Sequence, residues 1–115
     1  MYIEERKMDS VATLIKETKR PVIIFICKKN LATRILISPI LKDLQYRYKE
    51  KIFFHDIKDE VSAKLKKQYV INRYPTFLFF KKGVLVHKLE GFVNRRKLFS
   101  RVKELIEDNP VQQKV

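Results

Sequence analysis

The chain has 115 residues, 45% of them hydrophobic, and a formal net charge of +13, from 26 Lys and Arg against 13 Asp and Glu. This length suits one domain that folds without disulfides or metals, and the hydrophobic content excludes a disordered polycation. The single cysteine excludes an internal disulfide, the N-terminus lacks an apolar signal core, and no apolar run approaches the roughly 18–20 residues of a membrane span. We therefore expect a cytoplasmic protein with no membrane partner.

The first half of the chain alternates predicted helices and strands. Residues 9–19 favour a short helix that ends at Arg20-Pro21, and the apolar run 22–27 is typical of a strand buried on both faces of a sheet. Residues 31–48 predict a long helix kinked at Pro39. Its predicted apolar stripe consists of Ile35, Leu36, Ile40, Leu41 and Leu44. A strand over 51–57 and a helix over 59–69 follow.

The second half predicts an antiparallel hairpin and a final helix. Residues 76–80 consist of one Thr, three Phe and one Leu, a composition typical of a strand. Gly83 suits the corner of a hairpin, and residues 84–86 continue with a second apolar run. Pro75 lies before the first hairpin strand, a place where a cis peptide is found. Asn94 is the expected cap of a last helix with the apolar stripe Leu98, Phe99, Val102, Leu105 and Ile106. Residues 1–110 thus form one domain, and residues 111–115 are expected to be a frayed tail.

This order of elements predicts an α/β fold, and its landmarks resemble those of a thioredoxin. Any first strand would be restricted to the few residues around Tyr2 and Ile3. The resemblance runs ungapped from about residue 21 to about residue 108. The landmarks that keep thioredoxin spacing are Pro39 in the long helix, Tyr74-Pro75-Thr76, Gly83 and Gly91. The resemblance implies the thioredoxin fold, a central mixed β-sheet flanked by α-helices on both faces, with Pro75 as its cis-proline.

The redox residues of a thioredoxin are missing from this chain. Counted back from Pro39, the family's Cys-Gly-Pro-Cys motif falls on residues 31–34, so that Leu31 and Arg34 occupy the two cysteine positions. The resemblance also implies that the family's buried acid falls on Phe25, its neighbouring lysine on Asp56 and the tryptophan before the motif on Asn30. Neither Leu nor Arg can attack or resolve a disulfide. We therefore expect no dithiol oxidoreductase activity and no cofactor.

Cys27 is the remaining redox candidate. Two lysines beside it would favour a thiolate, and glutathione would resolve a one-cysteine site. Its position twelve residues before Pro39, four residues upstream of the family's nucleophile, favours instead a small core residue at the end of the central strand. His55 and His87 are predicted to lie in strands without a cluster of metal-ligand spacing, so no metal site is expected.

The remaining predictions concern partners. The resemblance implies a groove that holds an extended peptide against the backbone before the cis-proline, with an apolar rim of Leu31, Tyr74, Pro75 and Phe92. A redox-inactive interaction or chaperone-like module using this groove is the preferred function, and its partner is another protein or peptide segment, acidic in view of the charge. A homodimer through the groove stays open. The basic surface assigned from the sequence comprises Lys28, Lys29, Arg34, Arg95, Arg96 and Lys97.

Two alternatives stand beside this prediction. One is a nucleic-acid or polyanion binder in which Arg34, Arg95 and Arg96 matter and salt abolishes binding. The other, weaker, alternative is a monothiol redox protein that Cys27→Ser would silence. Tyr74→Ala would instead damage the peptide-binding module.

Overall fold

The computed structural model describes residues 13, 15–16, 19–27, 32–57, 63–91 and 94–107. The strands are β1 (Val22–Ile26), β2 (Phe53–Ile57), β3 (Thr76–Lys81) and β4 (Val84–Glu90). The helices are α1 (Ala32–Tyr48), α2 (Ala63–Tyr69) and α3 (Arg95–Glu107), and Thr13, Ile15 and Lys16 are also helical. Within this part of the chain, none of the helices has the length and apolar content that crossing a membrane requires.

The four strands form one mixed sheet in the order β2-β1-β3-β4. β1 pairs parallel with β2 and antiparallel with β3, so it lies in the interior of the sheet. Every residue of β1 is buried, which confirms the prediction that the unbroken apolar run is a central strand. β2 begins at Phe53, two residues later than the sequence pattern indicated.

The hairpin of β3 and β4 is confirmed, and it is longer than predicted. Lys82 and Gly83 form its corner with φ values of 52° and 81°, the left-handed conformation that a tight hairpin turn requires. The sequence pattern indicated residues 84–86 for the second strand, whereas β4 continues through Leu89 and Glu90. They remain paired because Thr76 lies opposite Glu90 and extends the ladder to the start of β3.

Helices cover both faces of the sheet, as predicted. On one face, α1 and α3 pack against alternate strand residues, including Ile23, Phe25 and Phe77. On the other face, Ile15 and Ile71 pack with Ile24 and other residues of the sheet. The alternation of side chains along each strand divides the apolar residues between these two cores.

The predicted apolar stripe of the long helix is wrong at two positions. Ile35 and Leu36 are 76% and 72% exposed, whereas Ile37, Leu41 and Leu44 are buried. At 100° per residue, Ile37 and Leu41 share one face of α1 and Ile35 lies nearly opposite to them. The helix continues through Pro39.

The last helix follows the prediction closely. Asn94 Oδ1 accepts a hydrogen bond of 2.8 Å from the backbone N–H of Lys97, which is the expected cap. Leu98, Val102 and Leu105 are buried, and the predicted partners Phe99 and Ile106 pack against the core from its margin. Three other parts of the prediction lie outside the described residues: any first strand around Tyr2 and Ile3, the start of the helix over 59–69, and the tail over 111–115.

Candidate functional site

The candidate functional site lies where the carboxyl ends of β1 and β2 meet the start of α1. Arg34, to which the resemblance assigns the position of the family's second cysteine, lies in the first turn of α1. Cys27 follows β1, and Asp56 lies in β2 opposite Phe25. These four residues are brought together although up to 31 positions separate them in sequence, from Phe25 to Asp56.

Arg34 fills this site with a network of charge-assisted hydrogen bonds. Its Nη1 donates to Asp56 Oδ2 at 2.9 Å, and its Nη2 donates to Asp56 Oδ1 at 2.9 Å and to the carbonyl oxygen of Cys27 at 2.6 Å. The guanidinium also lies over the ring of Phe25, 5.3 Å from its centroid. Only 14% of the Arg34 side chain and 25% of the Asp56 side chain are exposed. Such a two-pronged Arg–carboxylate pair fixes both side chains in one geometry.

The structure therefore corrects one part of the predicted basic surface. The sequence analysis includes Arg34 in the basic surface, but its side chain is largely covered and its charge is neutralised by Asp56. The hydrogen bonds to Asp56 also raise the pKa of Arg34. The sequence contained a signal for this pair, because the resemblance assigns Arg34 and Asp56, which carry opposite charges, to redox-site positions of the family.

Cys27 is fully buried. Burial raises the pKa of its thiol, and this effect outweighs the opposing positive charge of Arg34. A buried thiol with a raised pKa is a poor nucleophile at neutral pH. This environment agrees with the interpretation of Cys27 as a core residue.

The turn before β3 has the conformation expected from the sequence. The Tyr74–Pro75 peptide bond is cis, and Pro75 is buried while Tyr74 is half-buried. The backbone N–H of Gly91 donates to the carbonyl oxygen of Pro75 at 2.9 Å, which ties the turn to the end of β4. Thr76 Oγ1 donates to the carbonyl oxygen of Arg73 at 2.5 Å. Of the four predicted groove residues, Leu31 and Phe92 lie outside the described residues.

The two exposed aliphatic side chains of α1 are a feature that the sequence analysis missed. Ile35 and Leu36 directly follow Arg34, so they stand at the start of α1 on the side of the molecule where the dithiol would lie. Adjacent exposed aliphatic residues are typical of contact surfaces for other proteins. An apolar stripe drawn through Ile37, Leu41 and Leu44 at the 3.6-residue period leaves Ile35 and Leu36 outside the buried face.

The other predicted basic residues are divided between paired and exposed positions. Arg95 forms an ion pair with Asp43 and lies over the ring of Phe99 at 4.5 Å. The hydrogen bond from Arg95 is the main reason why the pKa of Asp43 is lowered. Arg96 and Lys97 are exposed, whereas Lys28 and Lys29 lie outside the described residues.

Both histidines lie in strands, His55 in β2 and His87 in β4. Among the residues with a described position, no group of three or more His, Cys, Asp or Glu side chains is arranged to hold a metal ion. The ring of His87 stacks at an angle against Phe79, with 5.7 Å between the centroids.

Comparison with known proteins gives one consistent result. The family model described as Thioredoxin matches residues 13–104. Thioredoxin Y1, chloroplastic, of Arabidopsis thaliana is 26% identical over 110 residues, which cover 94% of this chain and 64% of that protein. Thioredoxin Y, chloroplastic, of Oryza sativa subsp. japonica is 23% identical over 104 residues, covering 90% of this chain and 62% of that protein. The chain thus spans less than two thirds of the length of these relatives.

Solved structures with the same fold include thioredoxins. Thioredoxin O2 from Arabidopsis thaliana in the oxidized state superposes with a TM-score of 0.75 and 22% identity, covering 90% of each chain. Mitochondrial thioredoxin 3 from Saccharomyces cerevisiae, in its oxidized form, gives a TM-score of 0.74 and 23% identity, covering 85% of this chain and 90% of that one. These comparisons confirm the thioredoxin fold, and they do not favour the nucleic-acid alternative.

Proposed function

We propose that this chain, which belongs to the thioredoxin family, is a redox-inactive member that binds protein segments as an accessory or chaperone-like module. The observation that carries the proposal is the Arg34–Asp56 pair in the place of the family's dithiol. A thioredoxin needs an attacking thiolate and a resolving thiol there, and this chain has one cysteine, buried behind the pair.

Protein binding is supported by what remains at the same end of the molecule. The cis-proline turn is intact, and its backbone is the part of the family's groove that holds a peptide without a thiol. Ile35 and Leu36 add exposed apolar area near the start of α1. A partner segment with apolar side chains and acidic residues would suit this surface on a chain of net charge +13.

The redox half of the proposal is tested by reduction of insulin disulfides with dithiothreitol. The wild type is expected to be as inert as Cys27→Ser. The triple variant Leu31→Cys, Arg34→Cys, Asp56→Asn restores the dithiol without leaving an unpaired carboxylate, and it should gain activity if the register is right. An active wild type that loses its activity in Cys27→Ser would instead establish a one-cysteine redox protein.

The binding half is tested by the aggregation of heated citrate synthase, followed by light scattering. We expect the wild type to suppress aggregation, and the double variant Ile35→Ser, Leu36→Ser and the single variant Tyr74→Ala to suppress it less. Val84→Ser is the matched control because Val84 is 60% exposed and lies at the hairpin corner, in another part of the molecule. The binding proposal fails if the wild type has no effect or if the control variant is impaired equally.

A further inference from the structure

A second candidate site lies at the opposite end of the sheet from Arg34. A cleft of about 200 Å³ opens between the β3–β4 hairpin and α3. Its lining includes Phe79, Lys81, Val86, His87, Arg101 and Leu105. Phe79 pairs with Ile23, near the start of β1, whereas Arg34 contacts Cys27 just after β1 ends. The cleft is therefore separate from the groove of the cis-proline turn.

A β-bulge lies in the wall of this cleft. Phe79 lies opposite His87, but the next residue, Phe80, lies opposite Leu85, so Val86 is an extra residue in β4. Neighbouring residues of a regular strand point to opposite faces, whereas the bulge lets Val86 and His87 line the same cleft. Bulges commonly re-aim side chains beside functional sites.

His87 has a buried polar atom without a partner. Its Nε2 is shielded from solvent and makes no hydrogen bond within the described part of the chain. Buried polar atoms of native proteins are nearly always paired, so an orphaned one in a cleft wall calls for an explanation. A bound group that exchanges a hydrogen bond with Nε2 would supply the missing partner.

The charges around the cleft are predominantly positive. Arg101 and Lys97 act on His87 from α3, and Lys81 lines the cleft from β3, whereas Glu104 is the acidic residue among them. Burial, and then the charge of Arg101, lowers the pKa of His87, and Glu104 opposes this effect. Lys81 Nζ donates to the carbonyl oxygen of Leu105 at 2.8 Å, and Arg101 Nη1 donates to Glu104 at 3.0 Å. The Arg101–Glu104 pair is exposed enough for a ligand to displace it.

We propose that this cleft binds a small organic carboxylate. The carboxylate would accept hydrogen bonds from Arg101 and from protonated His87, while its apolar part packs on Phe79, Val86 and Leu105. The volume suits a ligand of about the size of benzene, since cavities of roughly 150 Å³ hold that molecule. An inorganic anion would leave the apolar walls unused, and a neutral ligand would not use the positive field.

The proposal is tested by NMR titration of the wild type with sodium benzoate. Benzamide serves as the neutral analogue, and sodium chloride is added to equal ionic strength. We expect saturable shifts of backbone signals around the cleft with benzoate, with a dissociation constant on the order of 1 mM. The His87 ring should titrate at higher pH with benzoate than without it, because the bound anion favours its protonated form. Absence of saturable shifts, or equal shifts with benzamide, would overturn the proposal.

Two pairs of variants locate the site. Arg101→Gln should weaken benzoate binding about tenfold, whereas Arg96→Gln, which removes the same charge from an exposed position of α3, should leave it nearly unchanged. Val86→Phe should fill the cleft and abolish binding, whereas Val84→Phe, on the same strand but outside the cleft lining, should not. Equal effects within either pair would mean that binding is not in this cleft.

Discussion

Replacing Arg34 with methionine tests whether the pair with Asp56 holds this end of the molecule together. The substitution keeps much of the apolar stem over Phe25 and removes three hydrogen bonds, two to Asp56 and one to the carbonyl oxygen of Cys27. Loss of one partner from a fully buried ion pair costs roughly 3–5 kcal/mol. Because 25% of the Asp56 side chain is exposed, water can rehydrate the carboxylate in part. We therefore expect the free energy of unfolding to fall by about 2–3 kcal/mol.

A double-mutant cycle separates the pair from the rest of the site. Arg34→Met, Asp56→Leu and the double variant are unfolded in urea and followed by far-UV circular dichroism. Since the double variant leaves no unpaired charge, it should lose less stability than the two single losses added together, by about 1.5–2 kcal/mol. Arg96→Met is the control, because the same change at an exposed position should alter stability by less than about 0.5 kcal/mol. Additive effects of Arg34→Met and Asp56→Leu would refute the coupling.

Three further predictions rest on single side chains. The thiol of Cys27 should react with iodoacetamide at neutral pH far more slowly in the native protein than in protein unfolded in urea, because it is buried and its pKa is raised. The rates are measured by mass spectrometry, and equal rates would contradict this prediction. Asn94→Ala should lower the free energy of unfolding by about 1 kcal/mol through loss of the cap, as measured in urea, and an unchanged midpoint would argue against the cap. The lowered pKa of His87 means that the unfolded chain binds its proton more tightly. The free energy of unfolding, measured in urea, should therefore decline as the pH falls below about 6.5, and His87→Phe should make that decline less steep. An equally steep decline in the variant would exclude His87 as its cause.

The residues that the resemblance assigns to the family's redox positions contact one another in this structure. The resemblance assigns Arg34 to the position of the resolving cysteine and its counterion, Asp56, to the position of the family's lysine. It assigns Phe25, whose ring lies under the guanidinium, to the position of the family's buried acid. An arginine placed there alone would bury an unpaired charge, which is costly. Together the three residues form a group in which both Nη atoms of Arg34 are hydrogen-bonded and its guanidinium lies over an aromatic ring.

Local sequence patterns determined most of the fold. The apolar run of β1, the glycine corner of the hairpin and Asn94 before α3 each specify their element through short-range backbone and burial preferences. Together with Pro39 and the Tyr74-Pro75-Thr76 turn, they were enough to predict the thioredoxin fold, which the comparisons confirm. The lack of a second cysteine is likewise a property of the sequence alone.

Only the tertiary structure decided how the functional side chains are used. The sequence alone predicts that Arg34 is an exposed cation. It is covered in the structure because the parallel pairing of β1 with β2 brings Asp56 to the start of α1. The sequence alone predicts that Ile35 is a core residue. It is exposed because the orientation of α1 buries Ile37 instead. The wall of the cleft at His87 contains a one-residue bulge, and the sequence pattern of β4 does not predict where a bulge occurs. Exposure and pairing depend on which elements meet across the sheet, and that is a long-range property that no local pattern specifies.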